Sequence, residues 1–206
     1  MAKVKICGVT SPRDALMAAA AGADAVGFNF FPPSPRYVEP DWARAMRMAL
    51  PPFVAAVGVF VDRSPERVRD IMRHCRLDYA QLHGHESPQV VEKLKEFRII
   101  KAVRVRDEDD LSELERYDVD AFLLDAYVED QPGGTGSTFD WDLARQASAR
   151  AKLLLAGGLT PNNVAKAVHT ARPYAVDVAS GVEEEPGVKS RDLVTDFVLE
   201  AKSVLL

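Results

Sequence analysis

The stretch Leu153-Leu154-Leu155-Ala156-Gly157-Gly158-Leu159-Thr160-Pro161 decides the fold. Its four leading apolar residues run without polar alternation, the pattern of a strand covered on both faces. Two glycines end the run. Thr160 then offers a capping hydroxyl just before a proline, which suits the first position of a helix. A buried strand, a tight turn and a helix start follow one another at once, and together they make a βα unit.

The same unit recurs along the chain. Strand candidates are Val4–Cys7, Ala25–Phe30, Val54–Val61, Tyr79–Leu82, Ile99–Val103, Ala121–Leu124, Leu153–Ala156 and Ala175–Ala179, eight in all. Ser11-Pro12, Ser64-Pro65 and Ser87-Pro88 mark further helix starts. Val68, Ile71, Met72 and Cys75 fall at helical spacing, an apolar stripe that puts Cys75 in the core. Leu193, Val194, Phe197, Val198 and Ala201 form another. The weakest helices are the fifth, Asp110–Arg116, short and charged, and the sixth, Trp141–Ala149, rich in alanine with little stripe. Eight units of about 25 residues predict a single α/β domain over residues 1–206, a (β/α)8 TIM barrel near the lower size limit of that fold. An open doubly wound sheet is the alternative. It usually carries fewer strands, and no GxGxxG fingerprint follows the first strand.

The 206 residues are 47% apolar and 28% charged, an ordinary soluble globular composition. A net charge of −5 without a long basic run argues against a nucleic-acid partner. It leaves room for a small anion held by local donors. Cys7 and Cys75 lie far apart without metal-type spacing, which predicts a reducing compartment. No stretch resembles a signal peptide or a membrane span, so a cytoplasmic protein with no membrane partner is expected.

In a parallel barrel the segments just after the strands share one mouth, and chemistry gathers there. Cys7-Gly8 ends the first strand. Cys7 is either small core filler or a reactive thiol, and its surroundings decide between them. The glycines after strands seven and eight, Gly157-Gly158 and Ser180-Gly181, predict a phosphate site. Gly133-Gly134-Thr135-Gly136 is a mobile lid, another anion contact or a plain surface loop. Asp125 follows a buried run, where partial desolvation suits a general acid; a turn or capping aspartate is the alternative. Arg36, in a proline-braced loop, is either a carboxylate fork or a solvated surface arginine. His83, His85 and Glu86 lack a third ligand cluster, so no metal is expected. Lys5 shares a strand face with Cys7. If the barrel closes, Asp177 comes beside Lys5, as an interior salt bridge or as part of a device that favours the Cys7 thiolate.

The motifs together resemble the phosphoribosylanthranilate isomerase family. They are Lys5-Ile6-Cys7-Gly8, Gly27-Phe28-x-Phe30 leading to Ser34-Pro35-Arg36, Gln81-Leu82-His83-Gly84, Gly133-Gly134-Thr135-Gly136 with Phe139-Asp140-Trp141, Ala156-Gly157-Gly158-Leu159 and Ser180-Gly181-Val182-Glu183. They run in the family's order from the first strand to the last. Ala179 and Ser190 depart from it, where a second Ser and an Asp are common.

The resemblance implies an Amadori rearrangement in tryptophan biosynthesis without a cofactor or metal. Cys7 would be the general base and Asp125 the general acid. Arg36 would hold the anthranilate carboxylate, while His83 and Asp177 contact the sugar. Gly157, Gly158, Ser180, Gly181 and Gly134 would hold the phosphate. The partner implied is a small phosphorylated substrate, and both monomer and homodimer stay open. Two other readings compete. One is a different phosphate-binding barrel, such as indole-glycerol-phosphate synthase or a sugar-phosphate isomerase. The other is a non-catalytic barrel that binds a phosphorylated metabolite, which would need neither proton carrier.

Overall fold

The computed structural model describes residues 1–104, 107–125 and 141–205. Eight parallel strands close into a barrel in chain order. They are β1 (Lys3–Ile6), β2 (Ala25–Asn29), β3 (Ala55–Phe60), β4 (Tyr79–Leu82), β5 (Arg98–Val103), β6 (Ala121–Asp125), β7 (Leu153–Ala156) and β8 (Ala175–Val178). The barrel, not the open sheet, is therefore the fold. Closure pairs β1 with β8, in a register that sets Lys5 opposite Asp177.

The apolar runs have two faces, and both are used. Val57, Ile100, Leu123, Leu154 and Ala175 pack in one buried cluster that fills the lumen. Outward residues such as Ile6, Phe28, Leu82, Leu124 and Val176 join the helices in a larger one. A continuous apolar strand satisfies both at once.

Helices follow the strands: α1 (Pro12–Ala20), α2 (Pro40–Ala49), α3 (Pro65–Cys75), α4 (Pro88–Glu92), α5 (Trp141–Arg150), α6 (Pro161–Ala171) and α7 (Arg191–Ser203). The stripe of α3 is buried from Val68 to Cys75. On α7 the buried stripe is narrower than expected, because Leu193 is 37% exposed. Ser11 and Ser64 accept capping bonds from Asp14 N and Arg67 N, whereas Ser87 makes none. At α6 the reciprocal half of the cap is clear: Thr160 N donates to Asn163 Oδ1 at 2.8 Å.

Two expectations about helices need correction. The fifth segment is a 3-10 helix, Asp109–Arg116. The second weak helix is α4, with five residues, not the Ala-rich sixth segment. That segment forms ten-residue α5, in which Leu143, Ala144 and Ala147 are buried. Small side chains let a helix lie close to its neighbours without a wide stripe.

One element was not expected. After β8 comes a 3-10 turn, Ser180–Val182, and then an antiparallel pair, β9 (Glu183–Glu185) and β10 (Val188–Lys189). Its charged sequence lacks apolar alternation. The Pro186-Gly187 turn between two short runs was the available signal. Among the described residues no helix is long and apolar enough to cross a membrane.

Candidate active site

Cys7 stands one residue beyond β1. Its N–H donates to Val178 O at 2.8 Å, which extends the β1–β8 pairing to the strand tip. The thiol lines a cavity of about 320 Å³ at the C-terminal mouth, with Arg36, His83, Asp125, Gly157, Gly158, Asp177, Ser180 and Gly181. Nine of the ten site residues read from the sequence thus meet in one cavity. The tenth, Gly134, lies outside the described residues with the rest of Gly133–Gly136.

Below Cys7, Lys5 Nζ donates to Asp177 Oδ1 at 2.9 Å, with side chains 2% and 7% exposed. Burial works against the Lys5 cation, but Asp177 and then Cys7 outweigh it and raise its pKa. Burial also pushes the Cys7 thiol up. Lys5 pulls it down by charge and hydrogen bond, Asp177 opposes, and the balance stays above the ordinary thiol value. Lys5 thus pulls towards the thiolate and burial pulls towards the thiol.

Neighbouring glycines make room for this chemistry. A Cβ on Gly27 would lie 2.8 Å from Cys7 Sγ. Gly8 has φ +70°, and a Cβ there would meet Arg36 Cδ at 2.5 Å. The Arg36 side chain therefore lies directly over Gly8.

Across the mouth, Asp125 closes β6 with its side chain 27% exposed, in keeping with partial desolvation. His83 Nε2 is 3.4 Å from Asp125 Oδ2, and His83 Nδ1 is 2.8 Å from Gln81 Nε2. His83 thus bridges the Gln81 amide and the Asp125 carboxylate through its two ring nitrogens. Gln81 Oε1 is buried and has no hydrogen-bond partner among the described residues. Glu86 is committed elsewhere: its carboxylate takes Lys101 Nζ at 2.9 Å and the N–H groups of Asp62 and Gly84. No metal-holding group of His, Cys, Asp or Glu occurs among the described residues.

The two glycine loops form the far wall. Gly157 and Gly158 have φ of +86° and +62°, and among the described residues nothing lies within 4 Å of a Cβ built on Gly158. Asn163 Nδ2 donates to Gly158 O at 2.9 Å and braces this turn against the start of α6. Gly181 is so close to the other loop that its Cβ would lie 1.9 Å from Leu159 O.

Arg36 is neither a solvated surface group nor unpartnered. Its Nε and Nη2 donate to Glu183 Oε1 and Oε2 at 2.8 and 2.6 Å. Glu183 Oε1 also accepts from buried Lys189 Nζ at 2.8 Å. Glu183 ends the Ser180-Gly181-Val182-Glu183 motif without a role legible in the sequence, and Lys189 lies in a charged stretch with no burial pattern to mark it. Gly27 and Gln81 likewise sat in quoted motifs without roles.

A closed parallel barrel that gathers its ionisable groups and glycine loops at the C-terminal mouth belongs to the (β/α)8-barrel enzymes. The particular family follows from comparison. The model of the family described as N-(5'phosphoribosyl)anthranilate (PRA) isomerase matches residues 4–200, and the chain belongs to that family. It is 51% identical over 206 residues, all of both chains, to the N-(5'-phosphoribosyl)anthranilate isomerase of Trichlorobacter lovleyi. A Thermotoga maritima phosphoribosyl anthranilate isomerase superposes with a TM-score of 0.91 at 44% identity, over 99% of this chain and 100% of that one. Another solved isomerase of this name, in complex with reduced 1-(o-carboxyphenylamino)-1-deoxyribulose 5-phosphate, gives 0.88 at 42% identity over the same shares.

Proposed function

We propose that the chain converts N-(5'-phosphoribosyl)anthranilate to 1-(2-carboxyphenylamino)-1-deoxyribulose 5-phosphate, the Amadori step of tryptophan biosynthesis in the cytoplasm, with Asp125 as acid and Cys7 as base. Asp125 protonates the ring oxygen as the anilino nitrogen pushes the C1'–O bond open. The product of that step is a protonated Schiff base. Its positive charge lies beside Cys7 and favours the thiolate that burial otherwise disfavours. The thiolate takes the proton from C2', and the electron pair flows through C1' to nitrogen. The Cys7 thiol so formed gives a proton to C1' of the enolamine, and the Asp125 carboxylate takes the enol hydroxyl proton, which restores the thiolate and the carboxylic acid with which the cycle began. The iminium is the electron sink, so the steps need no other reagent.

The remaining wall suits the rest of the substrate. The glycine loops offer backbone approach to the phosphate, Arg36 faces the carboxylate, and His83 and Asp177 reach the sugar. All these groups come from one chain, so the proposed site is complete in a monomer and in each half of a homodimer. The observation that carries the reading is the meeting of Cys7 and Asp125 in one cavity with the glycine loops of β7 and β8. The direct test is loss of anthranilate-type fluorescence when purified protein meets freshly made N-(5'-phosphoribosyl)anthranilate. Rapid loss is expected; a rate equal to the uncatalysed one rejects the reading.

A further inference from the structure

A guanidinium has five N–H donors arranged along two usable edges. Glu183 occupies the Nε/Nη2 edge of Arg36. The Nη1/Nη2 edge can therefore take a second carboxylate without displacing the first. Charge is the harder problem, because one guanidinium shared by two carboxylates attracts the second only weakly. Lys189 answers it. Its ammonium, 0% exposed, donates to Glu183 Oε1 at 2.8 Å and to Ala179 O at 2.9 Å. Burial lowers the Lys189 pKa and Glu183 works against that shift; with the ammonium held by Glu183 and Ala179 O, Arg36, Glu183 and Lys189 together carry one net positive charge.

The hairpin that bears this pair is fastened to the mouth. Thr10 Oγ1 donates to Gly187 O at 2.6 Å, and Lys189 N donates to Asp14 Oδ2 at 3.2 Å. Glu183 thus reaches Arg36 from a fixed base, while Gly8 leaves the arginine stem its path.

We propose that Glu183 and Lys189 are positioning residues that aim Arg36 at the substrate carboxylate and keep its charge available, which makes the β9–β10 hairpin a specificity element for an anionic ring substituent. This rests on the functional reading above. It also assigns a use to a fully buried lysine that the proton transfers do not need.

The test is a double-mutant cycle on KM and kcat with N-(5'-phosphoribosyl)anthranilate. Glu183→Gln is expected to raise KM about tenfold, the scale of one lost charge-assisted hydrogen bond, with kcat within about twofold. In an Arg36→Ala background the same change is expected to add almost nothing. An unchanged KM, a lower KM, or an equal rise without Arg36 each overturns the proposal; the lower KM would mean that Glu183 competes with substrate. Glu183→Asp is the milder variant, with the same outcomes. Wild-type protein supplies an independent measurement by NMR. The Arg36 Nε–H is expected to stay protected from exchange when reduced 1-(2-carboxyphenylamino)-1-deoxyribulose 5-phosphate binds, and loss of protection overturns the proposal. If wild-type protein shows no turnover, the functional reading fails; if it turns over and the cycle is flat, only this inference fails.

Discussion

Cys7 is subject to opposed forces at a distance of a few atoms. Burial raises the pKa of the thiol, and Lys5 below it works the other way. Because the thiol lies above its ordinary value, the reactive thiolate fraction grows as pH rises. The Cys7 limb of kcat/KM is therefore expected to climb through neutral into alkaline pH. Lys5→Met removes the favourable cation and leaves Asp177 buried without it, so the limb is expected to move further up. The same variant breaks a buried ion pair and is expected to cost about 3–5 kcal/mol of stability, read from urea unfolding. A limb that stays in place would mean that Lys5 does not act on Cys7. The pair was legible in the sequence because barrel closure brings strand eight beside strand one. The Arg36–Glu183 pair was not, since no strand register links a loop after β2 to a hairpin after β8.

At the scale of elements, strands were the clearest signal. Tyr79–Leu82 and Leu153–Ala156 have the limits expected, and the others differ by a residue at one end or both. Parallel strands buried on both faces leave little ambiguity. The hairpin was missed because a run of glutamates carries no burial pattern at all. Gly27 shows how closely one strand limits another. Gly27→Ala places its Cβ against Cys7 Sγ, and kcat is expected to fall at least tenfold, with a stability loss of about 1–3 kcal/mol. Turnover equal to wild type would show that Cys7 moves aside without consequence. On α3, Cys75 is buried, donates to Pro40 O at 3.2 Å, and has its thiol pushed up to about 11. Mass spectrometry after iodoacetamide at pH 8 is expected to find no label on Cys75, and Cys75→Ala is expected to keep full turnover.

For the whole molecule, closure is what makes the site. Residues from the first strand tip and the last two loops, far apart in the chain, become walls of one cavity once β8 pairs with β1. The sequence alone placed these groups at a common mouth, through the rule that strand ends converge in a parallel barrel. It did not show that Arg36 already holds a carboxylate of its own chain, or that burial outweighs Lys5 at the thiol. Both depend on side-chain packing across elements. The central claim is that two proton carriers, Cys7 and Asp125, act in a cavity whose binding walls work without them. The most direct measurement compares turnover and affinity for reduced 1-(2-carboxyphenylamino)-1-deoxyribulose 5-phosphate in wild type, Cys7→Ala and Asp125→Asn. Each variant is expected to lose nearly all turnover while binding that compound about as tightly as wild type; wild-type kcat in Cys7→Ala would contradict the account.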